Sequence, residues 1–421
     1  MLDINLIREK PEEVRKNLER RKDAEIIALL DETIKLDEKW KKLKLEADNL
    51  RSERNKANLE INKAKKEGKK AEVFIKKAKQ LPIKLKEAED QETELKEKLD
   101  NNLMRLPNML HESVPYGESD EENVEIRNWG KIRDFDFELK SHVEIVEALG
   151  SDFERSVKIS GAGFYILKGQ LALLSQALMR FAIDFLTKRG YDLVEVPLMI
   201  RKKPYEGVTD LADFEDVMYK IENDDEYLIA TSEHPMAAMY MNETMERLPV
   251  KLAGFSPCFR KEIGSRGIDT KGLFRRHQFY KIEQFIFCKP EDSWRFHEEL
   301  IKNAEELFQM LEIPYRVVNI CTGDIGIVAA KKYDIEAWLP RQKKYGEMGS
   351  CSNCTDYQAR RLNIKAGKEG GEKEVLHTLN ATALAVGRAI VAILENFQQK
   401  DGSVNVPKVL IPYMNSVEVL K

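Results

Sequence analysis

The sequence predicts an α+β protein in which an antiparallel pair of long helices precedes a domain of mixed helices and strands. Apolar residues recur every seven positions between about residues 31 and 100, as they do in coiled coils. Beyond residue 130, helix-like and strand-like segments mix to the end of the sequence. We therefore expect an N-terminal helical domain at 1–108 with its arm at about 31–100, a linker at 109–130, and a larger domain at 131–421.

The helical arm is predicted from its seven-residue repeat. Asp3 is expected to cap a short preceding helix, and Pro11 to occupy the first turn of a second one. Gly68 interrupts the repeat, which then resumes, so the two stretches predict an antiparallel hairpin. Pro82 is expected to kink the second helix or to mark a local irregularity. The repeating positions are Leu36, Leu43, Leu50, Ala57 and Ala64, then Ala71, Ala78, Leu85 and Leu99.

Charge is unevenly distributed along this arm. The whole chain has a net charge of −4, so any contact with nucleic acid must come from a local patch. Between Arg51 and Lys86, around the turn, 13 Lys or Arg residues stand against 4 Glu. A solvated coiled coil is the alternative, but it does not require positive charge to gather at one end, whereas a basic tip suits a phosphate backbone. The candidate contacts are Arg51, Arg54, Lys63, Lys65, Lys66, Lys69, Lys70, Lys76 and Lys77.

Composition indicates the compartment. Five scattered cysteines argue against a disulfide framework and for a reducing environment. The N-terminus is charged too early for a signal peptide, and no apolar run approaches the roughly 20 residues that span a bilayer. We expect a cytoplasmic protein without membrane contact. Cys351 and Cys354 form a lone C-x-x-C pair with no second pair downstream, so we expect no zinc.

The larger domain contains several segments with clear periodicity. Amphipathic helices are expected at 171–188 and 291–311, and an apolar, buried helix at 384–399. The segment 190–197 predicts a strand that is stopped by its final proline.

The candidate chemistry begins in two strand-like segments, 259–262 and 274–283, which are joined by a Gly-rich, basic loop at 264–272. On the first segment, Arg260 and Glu262 alternate with their neighbours and are expected to share one face. They could line a site for an anionic substrate, and a structural ion pair between them is the alternative.

Further candidates lie in three other places. Phe279 and Glu283 are four residues apart on the second segment and share a face, where the ring could stack on a base or belong to the core. Arg388 opens the last long helix and can reach a phosphate, although a solvated arginine is ordinary there. Glu347 and Ser350 offer a carboxylate and a hydroxyl to Mg²⁺, with turn-forming residues as the alternative.

Together these segments resemble the seryl-tRNA synthetase family, which belongs to the class II aminoacyl-tRNA synthetases. The strand ending at Pro197 resembles the first class II motif, 259–283 the second, and 384–388 the third. The basic-tipped hairpin stands where this family carries its tRNA-binding arm. The resemblance covers essentially the whole chain, and it implies a class II catalytic domain with a mainly antiparallel sheet flanked by helices. More specific to the seryl branch are 231–233, 272–279, 352–360 and the junction 107–115.

The resemblance implies a homodimeric ligase that joins L-serine to tRNA(Ser), with tRNA(Sec) as a further candidate. Serine and ATP would give seryl-adenylate and pyrophosphate, and the seryl group would then move to the 3′ end of the tRNA. The implied catalytic residues are Arg260, Glu262, Arg275 and Arg388, and the implied Mg²⁺ ligands are Glu347 and Ser350. The implied serine pocket is Thr231, Ser232, Glu233, Arg260, Glu283 and Thr382. The implied ATP site is Arg260, Lys261, Glu262, Arg275, Arg276, Phe279, Glu347, Met348, Gly349, Ser350 and Arg388.

Two positions depart from the family pattern. Ala383 stands where the seryl pattern often has glycine, and Arg276 occupies a position that is commonly small and apolar, so its side chain either joins the ATP site or points outward. Two other functions stay open: a coiled-coil scaffold or nucleic-acid-binding protein with an inactive catalytic domain, and a ligase that loads an amino acid on a carrier protein. The retained charged residues argue against the first, and the long arm argues against the second.

Overall fold

The chain forms two compact units, Met1–Met109 and Leu110–Lys421. The computed structural model describes residues 1–67, 72–209, 215–262, 272–368 and 370–421, so the predicted turn at Gly68 lies outside the described residues. The first unit contains the helices α1 (Ile4–Glu9), α2 (Pro11–Leu18), α3 (Ala24–Lys66) and α4 (Glu72–Arg105), with a 3₁₀ turn at Glu19–Arg21.

In the first unit, α3 and α4 pack along the predicted seven-residue seam. Ala47, Leu85 and Ala88 are buried against one another between the two helices. The helix α4 continues through Pro82 without a break. Asp3 caps α1, because its side chain accepts a backbone amide proton at 2.9 Å. The predicted coiled-coil arm is therefore confirmed.

The predicted linker at 109–130 belongs to the second unit from Leu110 onward. Leu110 and Val114 are buried against Val318 in a small apolar cluster, and the strand β1 (Val124–Trp129) joins the main sheet. Proline, glycine and acidic residues suggested a surface connection here. The apolar residues between them are enough to hold the segment on the second unit.

The strands of the second unit are distributed along its whole sequence. They are β1, β2 (Asp192–Glu195), β3 (Met199–Arg201), β4 (Glu226–Leu228), β5 (Thr244–Met245), β6 (Val250–Phe259), β7 (Gln278–Cys288), β8 (Tyr315–Asn319), β9 (Lys331–Leu339), β10 (Lys344–Asn353), β11 (Lys365–Gly367), β12 (Lys373–Val375), β13 (His377–Ala385), β14 (Val404–Asn405) and β15 (Val419–Leu420). Eight of them form one sheet in the order β1-β8-β9-β10-β13-β7-β6-β2. Its neighbouring strands run antiparallel except for β2 and β6, which confirms the predicted mainly antiparallel sheet.

Helices cover this sheet, as predicted. Leu178, Leu300 and Ile390, from three different helices, share one buried core with Ile282 of β7. The apolar helix expected at 384–399 starts later, since its first two residues still belong to β13. Among the described residues, no helix combines the length and apolar character needed to cross a bilayer. The helices are α5 (His142–Ala148), α6 (Phe153–Ser160), α7 (Gly169–Thr187), α8 (Lys202–Val208), α9 (Glu233–Ala238), α10 (Ser293–Met310), α11 (Tyr357–Leu362) and α12 (Val386–Phe397), with 3₁₀ turns at Asp120–Glu122, Glu215–Val217, Pro290–Asp292 and Lys408–Met414.

Candidate active site

The segment after β6 contains three of the predicted site residues. Because β6 ends at Phe259, Arg260 and Glu262 lie beyond the strand, and Glu262 has a left-handed backbone with φ of +49°. The predicted strand alternation that would put both side chains on one face is therefore wrong. Glu262 pairs with Arg275, and 3.5 Å separates its Oε2 from Arg275 Nη1.

Arg260 is held in place from several sides. Its Nε donates a hydrogen bond to the carbonyl oxygen of Ala230 at 3.2 Å. Its backbone N–H donates to the carbonyl oxygen of His277 at 2.9 Å. The centre of its guanidinium lies 5.4 Å from the centroid of the Phe279 ring. These contacts present a fixed positive group at the end of β6.

A cavity of about 290 Å³ opens beside Arg260. Its walls come from the adjacent strands β10, β13 and β7 and from the residues that follow β6. Four further polar residues that were not among the predicted site residues also line it: Lys281, Lys332, Ser352 and Asn380. The predicted site residues on its walls are Glu233, Arg260, Glu262, Arg275, Arg276, Phe279, Glu283, Glu347, Met348, Gly349, Ser350, Thr382 and Arg388.

Three predicted residues lie elsewhere. Thr231 lines an adjoining cavity of about 340 Å³, which shares several walls with the first. Ser232 is fully buried, and its hydroxyl donates to the carbonyl oxygen of Gly254 at 3.3 Å. The ammonium of Lys261 lies 6.0 Å from the Tyr219 ring. The side chains of Ser232 and Lys261 are therefore not on the walls of either cavity.

Arg276 joins the cavity wall, so of the two alternatives for its side chain the outward one is wrong. The side chain is buried, and its Nε donates to the carbonyl oxygen of Gly272. Its guanidinium stacks over Phe153 at 5.2 Å, and burial lowers its pKa. Arg276 thus supports the base of the predicted basic loop, of which residues 264–271 lie outside the described residues.

One part of the cavity wall is a cluster of buried charges. The ammonium of Lys281 lies 2.6 Å from Glu283 Oε2, and the Thr382 hydroxyl donates to the same oxygen at 3.3 Å. Thr382 lies directly opposite Glu283 in the register of β13 and β7. Sequence alternation could have identified Lys281, because it lies on β7 midway between Phe279 and Glu283 and shares their face.

Glu233, at the start of α9, lies beside this cluster. Burial, with the negative charge of Glu283 as the second cause, raises the pKa of its carboxyl group to about 7. The positive charges of Lys281 and Arg260 act in the opposite direction. Two carboxylates therefore share one enclosed space, and the site favours a ligand that brings a positive charge.

Another part of the wall joins β10 to α12. The Glu347 carboxylate lies 3.0 Å from Arg388 Nη1, which also donates to the backbone carbonyl of Glu347 at 2.9 Å. Burial alone would raise the pKa of Glu347, but the charges of Arg388 and Lys332 outweigh it and lower the pKa to about 2. Ser350 lies further along β10, opposite Asp334. The ionised carboxylate of Glu347 and the hydroxyl of Ser350 thus lie on β10, close to the positive charges of Arg388 and Lys332.

Close packing fixes the middle of the cavity. A Cβ atom at Gly349 would lie 2.7 Å from Thr382 Cβ, so only glycine fits at this position. Ala383 is fully buried in the main apolar core and does not line the cavity. This departure from the family pattern therefore leaves the cavity wall unchanged.

The two cysteines of the C-x-x-C pair are buried beside the cavity. Burial raises the pKa of the Cys351 and Cys354 thiols well above the usual value, so both are neutral. Cys351 donates to the carbonyl oxygen of His297 at 3.6 Å, and Cys354 accepts from the Asn380 amide, also at 3.6 Å. These are contacts of structural thiols.

The arrangement suits a substrate with groups of both signs. The guanidinium groups of Arg260, Arg275 and Arg388 can bind phosphate or carboxylate oxygens. Glu233 and Glu283 can hold an ammonium and a hydroxyl. Positive groups fixed around an enclosed space also stabilise negative charge that develops during a reaction.

Comparison with protein families agrees with this chemistry. The model described as "Seryl-tRNA synthetase N-terminal domain" matches residues 1–110, and "tRNA synthetase class II core domain (G, H, P, S and T)" matches residues 217–397. A curated serine–tRNA ligase of Methanocella arvoryzae is 57% identical over 425 residues, with 100% of both chains covered. That of Pyrococcus horikoshii is 50% identical, covering 100% of this chain and 98% of the relative.

Solved structures give the same result. Seryl-tRNA synthetase from Pyrococcus horikoshii, crystallised with ATP, has a TM-score of 0.95 at 48% identity, covering 100% of this chain and 99% of the other. The cytoplasmic enzyme from Naegleria fowleri, crystallised with AMP, has a TM-score of 0.89 at 37% identity with the same coverage.

The raised pKa of Glu233 predicts a measurable effect on stability. Its pKa in the folded state lies above its usual value, so the stability of the wild type falls as pH rises from about 4.5 to 7. Above pH 7 the stability stays at this lower level. The neutral variant Glu233→Gln lacks this penalty. It should be more stable than wild type at pH 8, by on the order of 1 kcal/mol, and about equal at pH 4.5. Urea unfolding at both pH values measures this.

The matched control is Glu246→Gln at an exposed position. Its stability difference from wild type should be the same at both pH values. A Glu233→Gln variant with no pH-dependent gain in stability would contradict the raised pKa of the buried Glu233 carboxyl group.

Proposed function

The chain belongs to the seryl-tRNA synthetase family, and we propose that the cavity walled by Arg260, Glu283 and Glu347 is where it activates L-serine with ATP. The chain is a serine–tRNA ligase of class II. It forms seryl-adenylate and pyrophosphate, and then transfers the seryl group to the 3′ end of tRNA(Ser). The observation that carries the assignment of the cavity is its charge arrangement, with carboxylates for an ammonium beside arginines for carboxylate and phosphate.

Serine would bind next to the two carboxylates. Lys281 and Thr382 already contact Oε2 of Glu283. This leaves the other Glu283 oxygen, together with Glu233, for the ammonium and hydroxyl of serine. Alanine would leave these buried polar groups unpaired, and sites of this kind reject such an analogue strongly. Thr231, on the wall of the adjoining cavity, completes the proposed pocket.

Arg260 would hold the serine carboxylate and the α-phosphate together. In the first step, a carboxylate oxygen forms a bond to the α-phosphorus, and the bond from that phosphorus to the bridging oxygen of pyrophosphate breaks. Negative charge on the phosphoryl oxygens would be stabilised by the fixed guanidinium. Glu262 and Arg275 would hold adenine and phosphates, Phe279 would stack on adenine, and Arg388 would contact the γ-phosphate.

Mg²⁺ fits the donor set of Glu347 and Ser350. The low pKa of Glu347 keeps it ionised, and Mg²⁺ takes one or two protein oxygens together with substrate phosphates. When bound, the ion would neutralise charge on those phosphates. Glu347 and Ser350 would fix its position on β10.

Replacing Arg260 tests the proposed site. Serine-dependent ATP–pyrophosphate exchange should fall on the order of 10²–10³-fold in Arg260→Ala, because the charge at phosphorus loses its fixed cation. The control is Arg295→Ala, which removes an exposed arginine paired with Asp292 on the surface. Wild-type exchange in Arg260→Ala would contradict the assigned role, and absence of serine-dependent exchange in the unaltered enzyme would contradict the function.

We propose that the arm binds tRNA through its basic end. Lys63 and Lys66 are exposed near the end of α3, and Arg54 is partly exposed there. Arg51 is a weaker candidate, because Asp48 and Glu89 already contact its guanidinium at 2.6 and 2.9 Å. Lys69 and Lys70 lie outside the described residues, as do the side chains of Lys65, Lys76 and Lys77.

The double variant Lys63→Ala/Lys66→Ala tests this interaction. The slope of log affinity for tRNA(Ser) against log salt should become shallower by roughly 0.7–0.9 for each phosphate that the variant no longer neutralises, while serine-dependent pyrophosphate exchange stays unchanged. The control Lys39→Ala/Lys42→Ala has the same spacing on exposed positions of the same helix, about 36 Å away at 1.5 Å per residue. Equal slopes for both double variants would place the RNA-binding surface elsewhere. The same assay with tRNA(Sec) tests that acceptor.

We propose that the chain forms a homodimer through the β2 edge of its sheet. Leu193, Leu198 and Met199 each leave 40% or more of their surface exposed. Leu193 lies on β2, the terminal strand of the main sheet, and the other two follow within seven residues. Exposed apolar side chains on an edge strand and on the residues that follow it are typical of an interface between copies.

A charged substitution at this edge should separate the copies. Leu193→Asp should lower the mass in size-exclusion chromatography with light scattering from about twice 48.7 kDa to 48.7 kDa. Met310→Asp is the control, since Met310 is 43% exposed on α10 and Leu193 is 46% exposed. The proposed interface would be contradicted if the Leu193→Asp variant is still a dimer, or if the wild-type enzyme is a monomer.

A further inference from the structure

One oxygen of Glu233 is already occupied by the protein. Its Oε1 accepts a hydrogen bond from the Asn380 amide at 3.0 Å and another from the Gln358 amide at 3.2 Å. Within the described part of the chain, no side chain donates to Oε2 of Glu233. The protein therefore holds the carboxylate through Oε1, and Oε2 is left for a ligand.

Gln358 is on neither cavity wall, so it acts through Glu233. It lies on α11 and is completely buried. Its Nε2 also donates to the carbonyl oxygen of Val208 at 3.2 Å, and its Oε1 accepts from the Thr378 hydroxyl at 2.7 Å. One amide thus connects α8, α9 and β13 behind the proposed serine pocket.

The orientation of this amide is fixed by its partners. The Val208 carbonyl and the Glu233 carboxylate are both acceptors, so the NH₂ group must face them. In the reversed orientation, the amide oxygen would face the carbonyl oxygen of Val208, which has no proton to donate. Thr378, itself fully buried, supplies the one donor that the amide oxygen needs. Both protons and the oxygen of the Gln358 amide are then matched.

We propose that Gln358 and Thr378 are positioning residues for serine binding: they fix the Glu233 carboxylate so that Oε2 faces the substrate ammonium. This rests on the proposed role of Glu233 in the serine pocket. Asn380, which lines both cavities, gives the second contact to Oε1. A carboxylate held by two donors keeps one direction free and does not need to reorganise when serine arrives.

The charged groups around Glu233 make the arrangement sensitive to this support. Glu283 on β7 opposes the ionised form, while Lys281 on the same strand and Arg260 after β6 favour it. The buried His234 and Cys354 flank it as neutral groups, since burial lowers the pKa of His234 to about 3 and raises that of Cys354. The Gln358 amide favours the ionised form, so its loss weakens the carboxylate as a partner for an ammonium.

The test is Gln358→Met, which keeps the side-chain volume and removes the donor. KM for serine in pyrophosphate exchange should rise about tenfold, as expected when a hydrogen bond to a charged group is removed. KM for ATP should change less than twofold. The pH at which KM for serine begins to increase on acidification should move upward. The control is Gln398→Met at another buried glutamine, whose Nε2 donates to the carbonyl oxygens of Lys140 and Glu395.

A purely structural role predicts different results. Gln358→Met would then lose stability like Gln398→Met, with the serine KM and its pH profile unchanged, and the proposal would be overturned. If Gln358→Met does not fold, Thr378→Val and Thr378→Ser replace it. The valine variant should raise KM for serine and the serine variant should restore it, and equal KM values for the two would overturn the proposal.

Failure of this inference is distinguishable from failure of the proposed function. A wild-type serine KM in Glu233→Gln contradicts the role of Glu233 itself, and with it the basis of the proposal. A raised KM in Glu233→Gln with an unchanged KM in Gln358→Met contradicts only the positioning role.

Discussion

The ion pair between Lys281 and Glu283 joins two side chains that are almost inaccessible to solvent, at 8% and 2% exposure. Burying a charge without a partner is strongly unfavourable, and a second carboxylate, Glu233, lies in the same space. Lys281 therefore allows two carboxylates to coexist beside Arg260. Because this pair lies on β7, between β13 and β6, the strand must be held on both sides for the charges to stay enclosed.

The sheet positions the other groups around this pair through two irregularities. The register of β13 against β7 shifts between Thr382 and Leu384, and that of β10 against β9 shifts between Glu347 and Gly349. Such bulges turn side chains away from the direction that regular alternation would give them. Thr382 and Glu347 each stand at the start of a shift, so the two residues face one cavity from neighbouring strands.

Elements with a regular residue period were predictable from the sequence. The seven-residue repeat identified the arm, and alternation on β7 identified Phe279 and Glu283, although it should also have identified Lys281. The predicted orientation of Glu262 was wrong, because β6 ends at Phe259 and the backbone of Glu262 has a positive φ. Gln358 lies in the segment 352–360 that resembles the seryl branch, but the sequence gives this glutamine no role of its own, because only the fold places it behind Glu233.

In the proposed serine pocket, the polar network would reject alanine, whereas rejection of threonine would depend on close packing. Threonine carries the same ammonium and hydroxyl as serine, so the proposed hydrogen bonds to Glu233 and Glu283 would not distinguish the two. An extra methyl group is rejected only by steric crowding, which is a weaker discriminator. One closely packed part of the wall is at Gly349, where a Cβ would lie 2.7 Å from Thr382 Cβ. Thr382 also donates a hydrogen bond to Glu283, so in the proposed serine pocket this one residue would link the packed wall to the carboxylate that receives the substrate hydroxyl.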